Sequence, residues 1–400
     1  MNRSEMAGTR ARAAWSHGLM APVPERLSSN VIVLGDPQAS LACLFAHLDA
    51  QQVLTEDGWL RPDVGLICVG DYFDFAAEDS DDAGYQGAQF LAWLAAHDSA
   101  QTTLLMGNHD VERVMSFAGC TSERYRESQA ACRKMLLLQT PEVRRAFRVD
   151  WVAAHSNHPP MVAAHDYRSF VPAQSDMMRR LLLQGRMTLA TTAMDASGRT
   201  ILITHAGVTR RELDLVGASA NPLDCALRLN RFLAEAVDRV RSAWTALRHQ
   251  PLDLSPLYHG WEHHRPNGGL LIHRPDGRSG TLTHEQTLGL DAPRAPRSVP
   301  PAEFLIPDIH QVVGHTVACQ RLVRWLYPAV SAEAQAASVG SLLCLVPAEL
   351  RYALVIPADA RNASSSVVFA DVGLATCAAG SAEFLRLEQP GRVTADAQIH

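Results

Sequence analysis

Residues 102–110 read TTLLMGNHD, and this stretch decides the fold. Its first five residues are β-branched or apolar, which is typical of a short buried strand over residues 102–106. The strand leads through Gly107 directly into Asn108-His109-Asp110. Because an amide, an imidazole and a carboxylate have no packing purpose at the end of a buried strand, the triplet indicates a functional site.

Four more stretches share this arrangement of a buried strand and a polar end. Strands are predicted over Val31 to Leu34, Gly65 to Val69, Ile201 to Thr204 and Gln311 to Val313. The residues that follow read GDPQ at 35–38, GDYFD at 70–74, HAG at 205–207 and GHT at 314–316. In open α/β sheets the ligand site lies outside the carboxyl ends of the strands, so side chains distant in sequence meet there. The five strand ends therefore predict one shared site.

Helical patterns alternate with these strands, which favours an α/β fold. Helices are predicted over Ser40 to Leu48, Gly84 to His97, Ser122 to Leu138 and Leu223 to Arg248. Residues 111–185 and 208–264 are too long for simple connections, and we predict that they are helical insertions that cap the site. Further strands over Leu342 to Val346, Ala353 to Ile356 and Val367 to Ala370 would finish a second sheet.

The two ends of the chain differ from the middle. Residues 1–30 and 376–400 mix small, polar and proline residues without periodicity, which predicts flexible tails around one domain over residues 31–375. The first thirty residues contain no apolar core of a signal peptide, and no run reaches the roughly 18 apolar residues that span a bilayer. The 8 cysteines form no C-x-x-C pair. We interpret them as reduced thiols of a cytoplasmic protein without a membrane partner.

The charge of the chain limits its partners. The formal net charge is -6 and the pI is near 6.3. Proteins that bind a nucleic-acid backbone usually carry a clustered basic face. We therefore expect no nucleic-acid partner.

The polar groups at the strand ends are candidate metal ligands. Carboxylates, an amide oxygen and imidazoles together suit Mn, Fe, Zn or similar divalent ions. Two ions roughly 3.5 to 4 Å apart can stabilise both the attacking and the leaving oxygen of an in-line displacement. The five candidate ligands are Asp36, Asp71, Asn108, His205 and His315.

The order of these motifs resembles the calcineurin-like metallophosphoesterases, whose pattern is G-D-x-H, G-D-x-x-D, G-N-H-[DE] and two later histidine motifs. The resemblance extends from Val31 to Thr316, and the THAG and GHT forms are closest to the protein serine/threonine phosphatases and symmetrical dinucleoside tetraphosphate hydrolases. It implies a β-sandwich of two mixed sheets flanked by helices. It also implies two divalent ions, with Mn²⁺ expected and Fe, Zn or Mg as alternatives.

The resemblance assigns a role to each residue. Asp36 and Asp71 would hold the first metal, and Asp71 would bridge to a second metal held by Asn108, His205 and His315. A hydroxide that bridges the metals would be the nucleophile. His109 would be the general acid that protonates the leaving alkoxide, and Asp74 would orient it.

Three positions depart from the family pattern. Gln38 replaces a histidine ligand of the first metal, and its amide oxygen is a weaker ligand that favours a harder ion such as Mg or Mn. Val317 stands where other branches have a second histidine. Phe75 follows Asp74 where protein phosphatases have a phosphate-binding arginine, which counts against a phosphoprotein substrate.

Candidates for substrate binding are less specific. Arg113, Arg168, Arg210 and Arg211 are possible replacements for the missing arginine, because a guanidinium fits phosphate oxygens. Tyr258 and His259 lie in the segment YHGWEHH, which could line the cleft or be a polar loop.

Three functions follow from these residues. The first is hydrolysis of a small phosphorylated molecule or a dinucleoside polyphosphate. The second is a phosphoprotein serine/threonine phosphatase. The third is a non-catalytic metal- or phosphate-binding protein in which Gln38 has disabled the first site, although a binding protein has no need for His109 and Asp74.

Overall fold

The structure is a computed structural model, and it describes residues 2–24, 30–75, 80–276, 290–291, 297–318, 329–331, 334, 336, 340–348 and 352–388. Twelve strands form one mixed sheet, in the order β12-β14-β13-β15-β11-β6-β5-β16-β1-β2-β3-β4, and two small sheets pair β7 with β8 and β9 with β10. The strands are β1 Asn30–Leu34, β2 Gly65–Cys68, β3 Thr102–Leu105, β4 Met187–Thr188, β5 Ala190–Met194, β6 Thr200–Thr204, β7 Tyr258–His259, β8 Gly268–Gly269, β9 Arg274–Pro275, β10 Ser298–Val299, β11 His310–Val313, β12 Ala329–Val330, β13 Leu343–Val346, β14 Ala353–Val355, β15 Ser366–Phe369 and β16 Leu385–Glu388.

The predicted strands are confirmed to within one residue at each end, because short buried runs of Val, Ile and Leu have few alternatives to a central strand. The α/β class is confirmed as well. Helices flank the sheet: α1 Arg3–His17, α2 Leu41–Ala50, α3 Ser80–Ala95, α4 Asn108–Val111, α5 Ser122–Leu136, α6 Pro141–Ala154, α7 Met161–Asp166, α8 Pro172–Leu183, α9 Arg210–Val216 and α10 Pro222–Thr245.

Parallel pairing gathers the polar strand ends into two groups. β1 pairs in parallel with β2, and β2 with β3, so the residues after Leu34, Cys68 and Leu105 emerge side by side. On the other side, β11 lies between β6 and β15 and is parallel to both. Within each group the residues that follow the strands therefore emerge together. Three antiparallel pairs, β1 with β16, β16 with β5 and β5 with β6, separate the two groups.

The N-terminal residues correct the prediction of a tail. α1 begins with a capping box in which the Asn2 side chain accepts the Glu5 N–H at 2.9 Å and the Glu5 carboxylate accepts the Asn2 N–H at 2.9 Å. Ala7, Ala11 and Ala14 are buried against the core. This face consists of alanine and Gly8, so its hydrophobic periodicity is too weak to recognise in the sequence.

The C-terminal residues correct the second predicted tail in part. β16 pairs antiparallel with β1, with Val31 opposite Leu387 and Val33 opposite Leu385. Leu387 is buried. Residues 389–400, where the rest of the predicted tail lies, are outside the described residues.

The two insertions are helical to different extents. The first contains α5, α6, α7 and α8. The second is helical in α9 and α10, but it ends as a helix at Thr245, and residues 246–264 contain only the short strand β7. The helix predicted to end at Arg248 thus ends three residues earlier, and the last part of the predicted helical insertion is a loop. In the described parts of the chain, no helix combines the length and the apolar character that a membrane span requires.

Candidate metal centre

Asp71, His205 and His315 form a buried cluster at the carboxyl ends of β2, β6 and β11. One potential ligand atom from each of the three lies within 4.8 Å of the others. His205 is fully buried, and Asp71 and His315 are almost so. The strands bring together residues that are up to 244 positions apart (315 − 71) in the sequence. A mixed set of one carboxylate and two imidazoles suits a transition-metal ion.

The protonation of His205 shows that the cluster fits a cation. Its Nδ1 lies 2.9 Å from the Val69 carbonyl oxygen, so Nδ1 carries the proton and donates it. Nε2 therefore presents a lone pair, 3.1 Å from Asn108 Oδ1 and 3.5 Å from Asp71 Oδ2. Three acceptors facing one another repel unless a positive charge lies between them. Burial lowers the pKa of His205, which also keeps the ring neutral.

Asn108 is held from behind by a buried hydroxyl. Its Nδ2–H donates to the Tyr167 hydroxyl at 3.4 Å, and the same hydroxyl accepts N–H groups from Asn267 at 3.0 Å and Trp261 at 3.2 Å. Because the amide nitrogen is directed to Tyr167, the amide oxygen faces the cluster. Asn108 thus has the orientation that a metal ligand needs.

The backbone around Asp71 is held by Asp110. Asp71 has φ +60°, a left-handed conformation that Asn and Asp adopt more readily than other side chains. The Asp110 carboxylate accepts the N–H groups of Asp71 at 2.7 Å, Tyr72 at 2.9 Å and Gly107 at 2.8 Å. Gly107 must be glycine, because a Cβ there would lie 2.1 Å from Asp71 Oδ1. Burial and the Asp71 charge raise the pKa of Asp110 to about 7.

Asp36 reaches the same site from β1. Both of its carboxylate oxygens accept the His315 N–H, at 3.0 and 3.1 Å. Burial, and then the charges of Asp371 and Asp71, raise its pKa well above the ordinary value. The Gln38 side chain is half-buried and donates its Nε2–H to Asp71 Oδ2 at 3.4 Å. Gln38 thus directs its amide nitrogen, and not its oxygen, at Asp71.

His109 lies beside the cluster in a chain of charged groups. Its Nδ1 is 2.8 Å from Asp74 Oδ2, and its Nε2 is 3.7 Å from Asp71 Oδ2. Burial opposes protonation of His109, but the charges of Asp71 and Asp74 outweigh it and raise the pKa. Burial likewise opposes ionisation of Asp74, but Arg113 and His109 outweigh it and lower the pKa. The arrangement favours an imidazolium beside a carboxylate, with Nε2 directed at the cluster.

Arg113 and Tyr258 are not placed for substrate binding, which corrects two predictions. Arg113 is fully buried and pairs with Asp74, while its Nε–H donates to Gln174 Oε1 at 3.0 Å. Tyr258 is also fully buried, and its O–H donates to Glu112 Oε1 at 2.6 Å. Residue type in the sequence does not distinguish a surface arginine from a buried one. Both side chains support the site instead of lining it.

The other two substrate-binding candidates are outside the cluster. Arg210 is exposed in the first turn of α9. His259 is half-buried in β7, and its Nδ1 forms a 3.0 Å hydrogen bond with the Ser255 hydroxyl. Phe75, which stands where the family pattern has a phosphate-binding arginine, is buried and has no polar side-chain atom.

Two arginines that the sequence reasoning did not select lie at the cluster. Arg274, in β9, donates its Nε–H to His315 Nε2 at 3.1 Å. Arg297 is next to it, because its carbonyl oxygen accepts the Arg274 N–H at 2.7 Å, and its guanidinium lies 5.7 Å from the centre of the Trp261 ring. Desolvation, and then the charge of Arg297, lower the pKa of Arg274, although part of the residue remains exposed. A strand of two residues leaves no periodicity by which the sequence could have indicated Arg274.

Asp371 is the third residue that the sequence reasoning missed. It follows the predicted strand Val367 to Ala370, so the rule that selected the other strand ends would have found it. The carboxylate is buried, and its Oδ1 accepts the Gly373 N–H at 3.0 Å. Burial and the charge of Asp71 outweigh that hydrogen bond and raise the pKa of Asp371 to about 6.

Comparisons with known proteins give little further information. No family model matches the chain, and no curated protein matches it. Among solved structures, a cold-active protein tyrosine phosphatase is 16% identical, with 92% of this chain and 77% of that chain covered and a TM-score of 0.40. The same type of enzyme from a psychrophilic Shewanella species is 15% identical over 92% and 78% of the two chains, with a TM-score of 0.36. TM-scores this low do not establish a shared fold.

Proposed function

We propose that this protein is a metal-dependent phosphoester hydrolase of the calcineurin-like metallophosphoesterase type. The observation that carries the proposal is the buried cluster of Asp71, His205 and His315, whose potential ligand atoms lie within 4.8 Å of one another, with the His109–Asp74 pair beside it. A structural metal site would need only the cluster. The adjacent acid and its partner carboxylate fit proton transfer to a leaving group.

The residues divide into two groups around Asp71. Asn108, His205 and His315 would hold one divalent ion with Asp71, and Asp36 would hold a second. Bound divalent ions supply Lewis acidity, which lowers the pKa of water and stabilises negative charge on phosphate oxygens. Mn²⁺ is the expected ion, because it accepts carboxylate, amide and imidazole ligands.

His109 would donate the proton that the leaving oxygen needs. Asp74 and, behind it, Arg113 hold the imidazole by Nδ1, so Nε2 is free to face the substrate. Ser169 fixes the other Asp74 oxygen with its N–H at 2.7 Å and its hydroxyl at 3.0 Å. This support keeps the orientation of His109 constant while its proton is transferred.

Small phosphorylated molecules and dinucleoside polyphosphates are the proposed substrates. Phe75 is buried where protein phosphatases have a phosphate-binding arginine, which disfavours the phosphoprotein alternative. Arg274 and Arg297 would provide the guanidinium groups instead, from β9 and the residue before β10. The non-catalytic alternative leaves the His109–Asp74–Arg113 chain without a purpose.

We further propose that the twelve-stranded sheet folds into the two packed layers of a metallophosphoesterase sandwich. Its support is a compact apolar cluster that joins distant strands, in which Val31, Ile67 and Leu105 pack with Ile203 and Val312. Among the residues that the structure describes, a single pair, Glu388 with Met194, links β16 to β5, and the sheet could bend at this narrow connection.

A substrate and metal panel tests the function. The full chain, freed of metal, is assayed with Mn²⁺, Mg²⁺, Zn²⁺ or Fe²⁺ on p-nitrophenyl phosphate, bis-p-nitrophenyl phosphate, diadenosine tetraphosphate and a phosphoserine peptide. We expect turnover that depends on added metal, with the small phosphoesters or the dinucleoside polyphosphate preferred. Absence of metal-dependent turnover on every substrate would refute the enzyme, and preference for the peptide would favour the phosphoprotein phosphatase.

Arg274 should contribute to substrate binding. Arg274→Lys keeps the charge but loses the planar fork, and we expect kcat/KM to fall by about 10- to 100-fold, mainly through KM, because a hydrogen bond to a charged group contributes about 1.5–3 kcal/mol. Arg231→Lys, at an exposed position of α10, is the matched control and should leave both constants unchanged. An unchanged KM in Arg274→Lys would remove this arginine from the substrate site.

A further inference from the structure

Asp371 stands at the same level of the sheet as His315. β11 and β15 are parallel neighbours, and Val313 lies opposite Phe369. His315 follows Val313 by two residues, and Asp371 follows Phe369 by two residues. The Ala370 N–H donates to the Val313 carbonyl oxygen at 2.7 Å, which shows that the ladder continues past the last assigned pair. Asp371 thus occupies on β15 the position that a cluster residue occupies on β11.

The residue that follows β1, Gly35, contacts the backbone at Asp371. A Cβ on Gly35 would lie 2.7 Å from the Asp371 Cα and 2.2 Å from the Ala370 carbonyl oxygen, so the two strand ends touch. The next residue after Gly35 is Asp36, and the charge of Asp371 acts directly on Asp36. Asp36 and Asp371 therefore lie on adjoining strand ends, where the first metal is proposed to bind.

Asp371 is only partly paired. One carboxylate oxygen accepts the Gly373 N–H, whereas the other has no hydrogen bond to any residue that the structure describes. The residue as a whole is 5% exposed. Arg274 is the charged group that acts on both Asp36 and Asp371, and it already donates to His315. The buried charges of Asp36, Asp71 and Asp371 exceed what this one arginine offsets.

We infer that Asp371 is an oxygen ligand of the first metal site and takes the place of the histidines that Gln38 and Val317 replace. This inference rests on the proposed function. Val317 is 40% exposed and offers no ligand atom, and Gln38 directs its amide nitrogen at Asp71. With Asp36, Asp71 and Asp371 as ligands, the first site contains only oxygen, while the second contains two imidazoles.

The difference in ligands makes the two sites chemically unequal. Carboxylate oxygens suit hard ions such as Mg²⁺ and Mn²⁺, and imidazoles suit Zn²⁺ and Fe²⁺ as well as Mn²⁺. The first site should therefore select Mn²⁺ or Mg²⁺ over Zn²⁺, while the second accepts either. The enzyme would then function with two different metals.

Metal titration of the full chain tests this inference without an activity assay. After treatment with a chelator, MnCl₂ is titrated, free Mn²⁺ is counted by electron paramagnetic resonance, and ZnCl₂ is titrated by calorimetry. We expect wild type to bind two Mn²⁺ and one tight Zn²⁺. Asp371→Asn should weaken one Mn²⁺ site by at least about 10-fold and leave the tight Zn²⁺ site unchanged.

Three controls make the result specific. Asn at position 371 keeps an oxygen for the Gly373 N–H, so the melting temperature of the metal-free protein should not fall. Asp359→Asn removes the same charge at an exposed position and should change no binding constant. His205→Ala should have the complementary effect and remove the tight Zn²⁺ site.

A rescue variant makes the test independent of folding. Adding Gln38→His to Asp371→Asn restores an imidazole, so a second Zn²⁺ should bind where the Mn²⁺ was lost. Unchanged Mn²⁺ binding in Asp371→Asn would refute the role of Asp371 and leave the proposed function intact. A wild-type chain that binds no divalent ion would refute both.

Discussion

His109→Ala should lower kcat by about 10² to 10⁴-fold on a substrate whose leaving group is a simple alkoxide. An alkoxide must be protonated as it leaves, and His109 is the group whose Nε2 faces the cluster while Nδ1 is held by Asp74 at 2.8 Å. On p-nitrophenyl phosphate the loss should be much smaller, because nitrophenolate leaves without a proton. Steady-state kinetics on the two substrates in parallel measure the difference.

The ratio between the two substrates is the diagnostic quantity. If His109 instead positioned a metal ion, both substrates would lose activity to the same extent and metal content would fall with it. Metal content of His109→Ala should equal that of wild type. Equal losses on both substrates would contradict the assignment of His109 as the general acid.

Asp71→Asn should abolish metal binding as well as turnover. It removes the one carboxylate shared by both proposed metal sites, and we expect metal binding to be lost and kcat/KM to fall by at least about 10³-fold, which corresponds to about 4 kcal/mol. The fold should tolerate the change, since Asn accepts φ +60° and keeps an oxygen for the His109 N–H that Asp71 Oδ1 accepts at 2.9 Å. Metal analysis and kinetics test it.

The melting temperature of the metal-free protein distinguishes the loss of a metal ligand from damage to the fold. In the absence of metal, Asp71→Asn should melt no lower than wild type, because it removes a charge that acts on Asp36, Asp110 and Asp371. Asp110→Asn is the matched control. It places an amide nitrogen against the backbone N–H groups of Asp71, Tyr72 or Gly107, so it should lower stability by about 1–3 kcal/mol. A metal-free Asp71→Asn that melts as low as Asp110→Asn would argue for a structural role.

Most of the central sheet could be predicted from the sequence, because its strands are short runs of Val, Ile and Leu that end in glycine and a polar residue. The rule that side chains after strand ends converge brought Asp71, His205 and His315 together correctly. Burial and pairing of long polar side chains depend on the tertiary fold. The sequence therefore offers Arg113 as a candidate for phosphate binding, although it pairs with Asp74 in the interior.

The remaining differences have separate physical causes. α1 was missed because alanine buries little area per residue and leaves a faint periodic signal. Arg274 belongs to a strand of only two residues, which is too short to show a strand pattern in the sequence. Asp371 was missed for a simpler reason, since it follows a correctly predicted strand but has no accompanying motif.

The position of β16 has a consequence for synthesis of the chain. β1 lies between β2 and β16, so the first strand of the sheet receives its second partner from Leu385–Glu388. A ribosome releases the N-terminus first, and β1 must wait for nearly the whole chain before its backbone groups are paired on both sides. Contacts this distant in sequence form late and slowly. Until then the open edge of β1 can pair with the backbone of other chains.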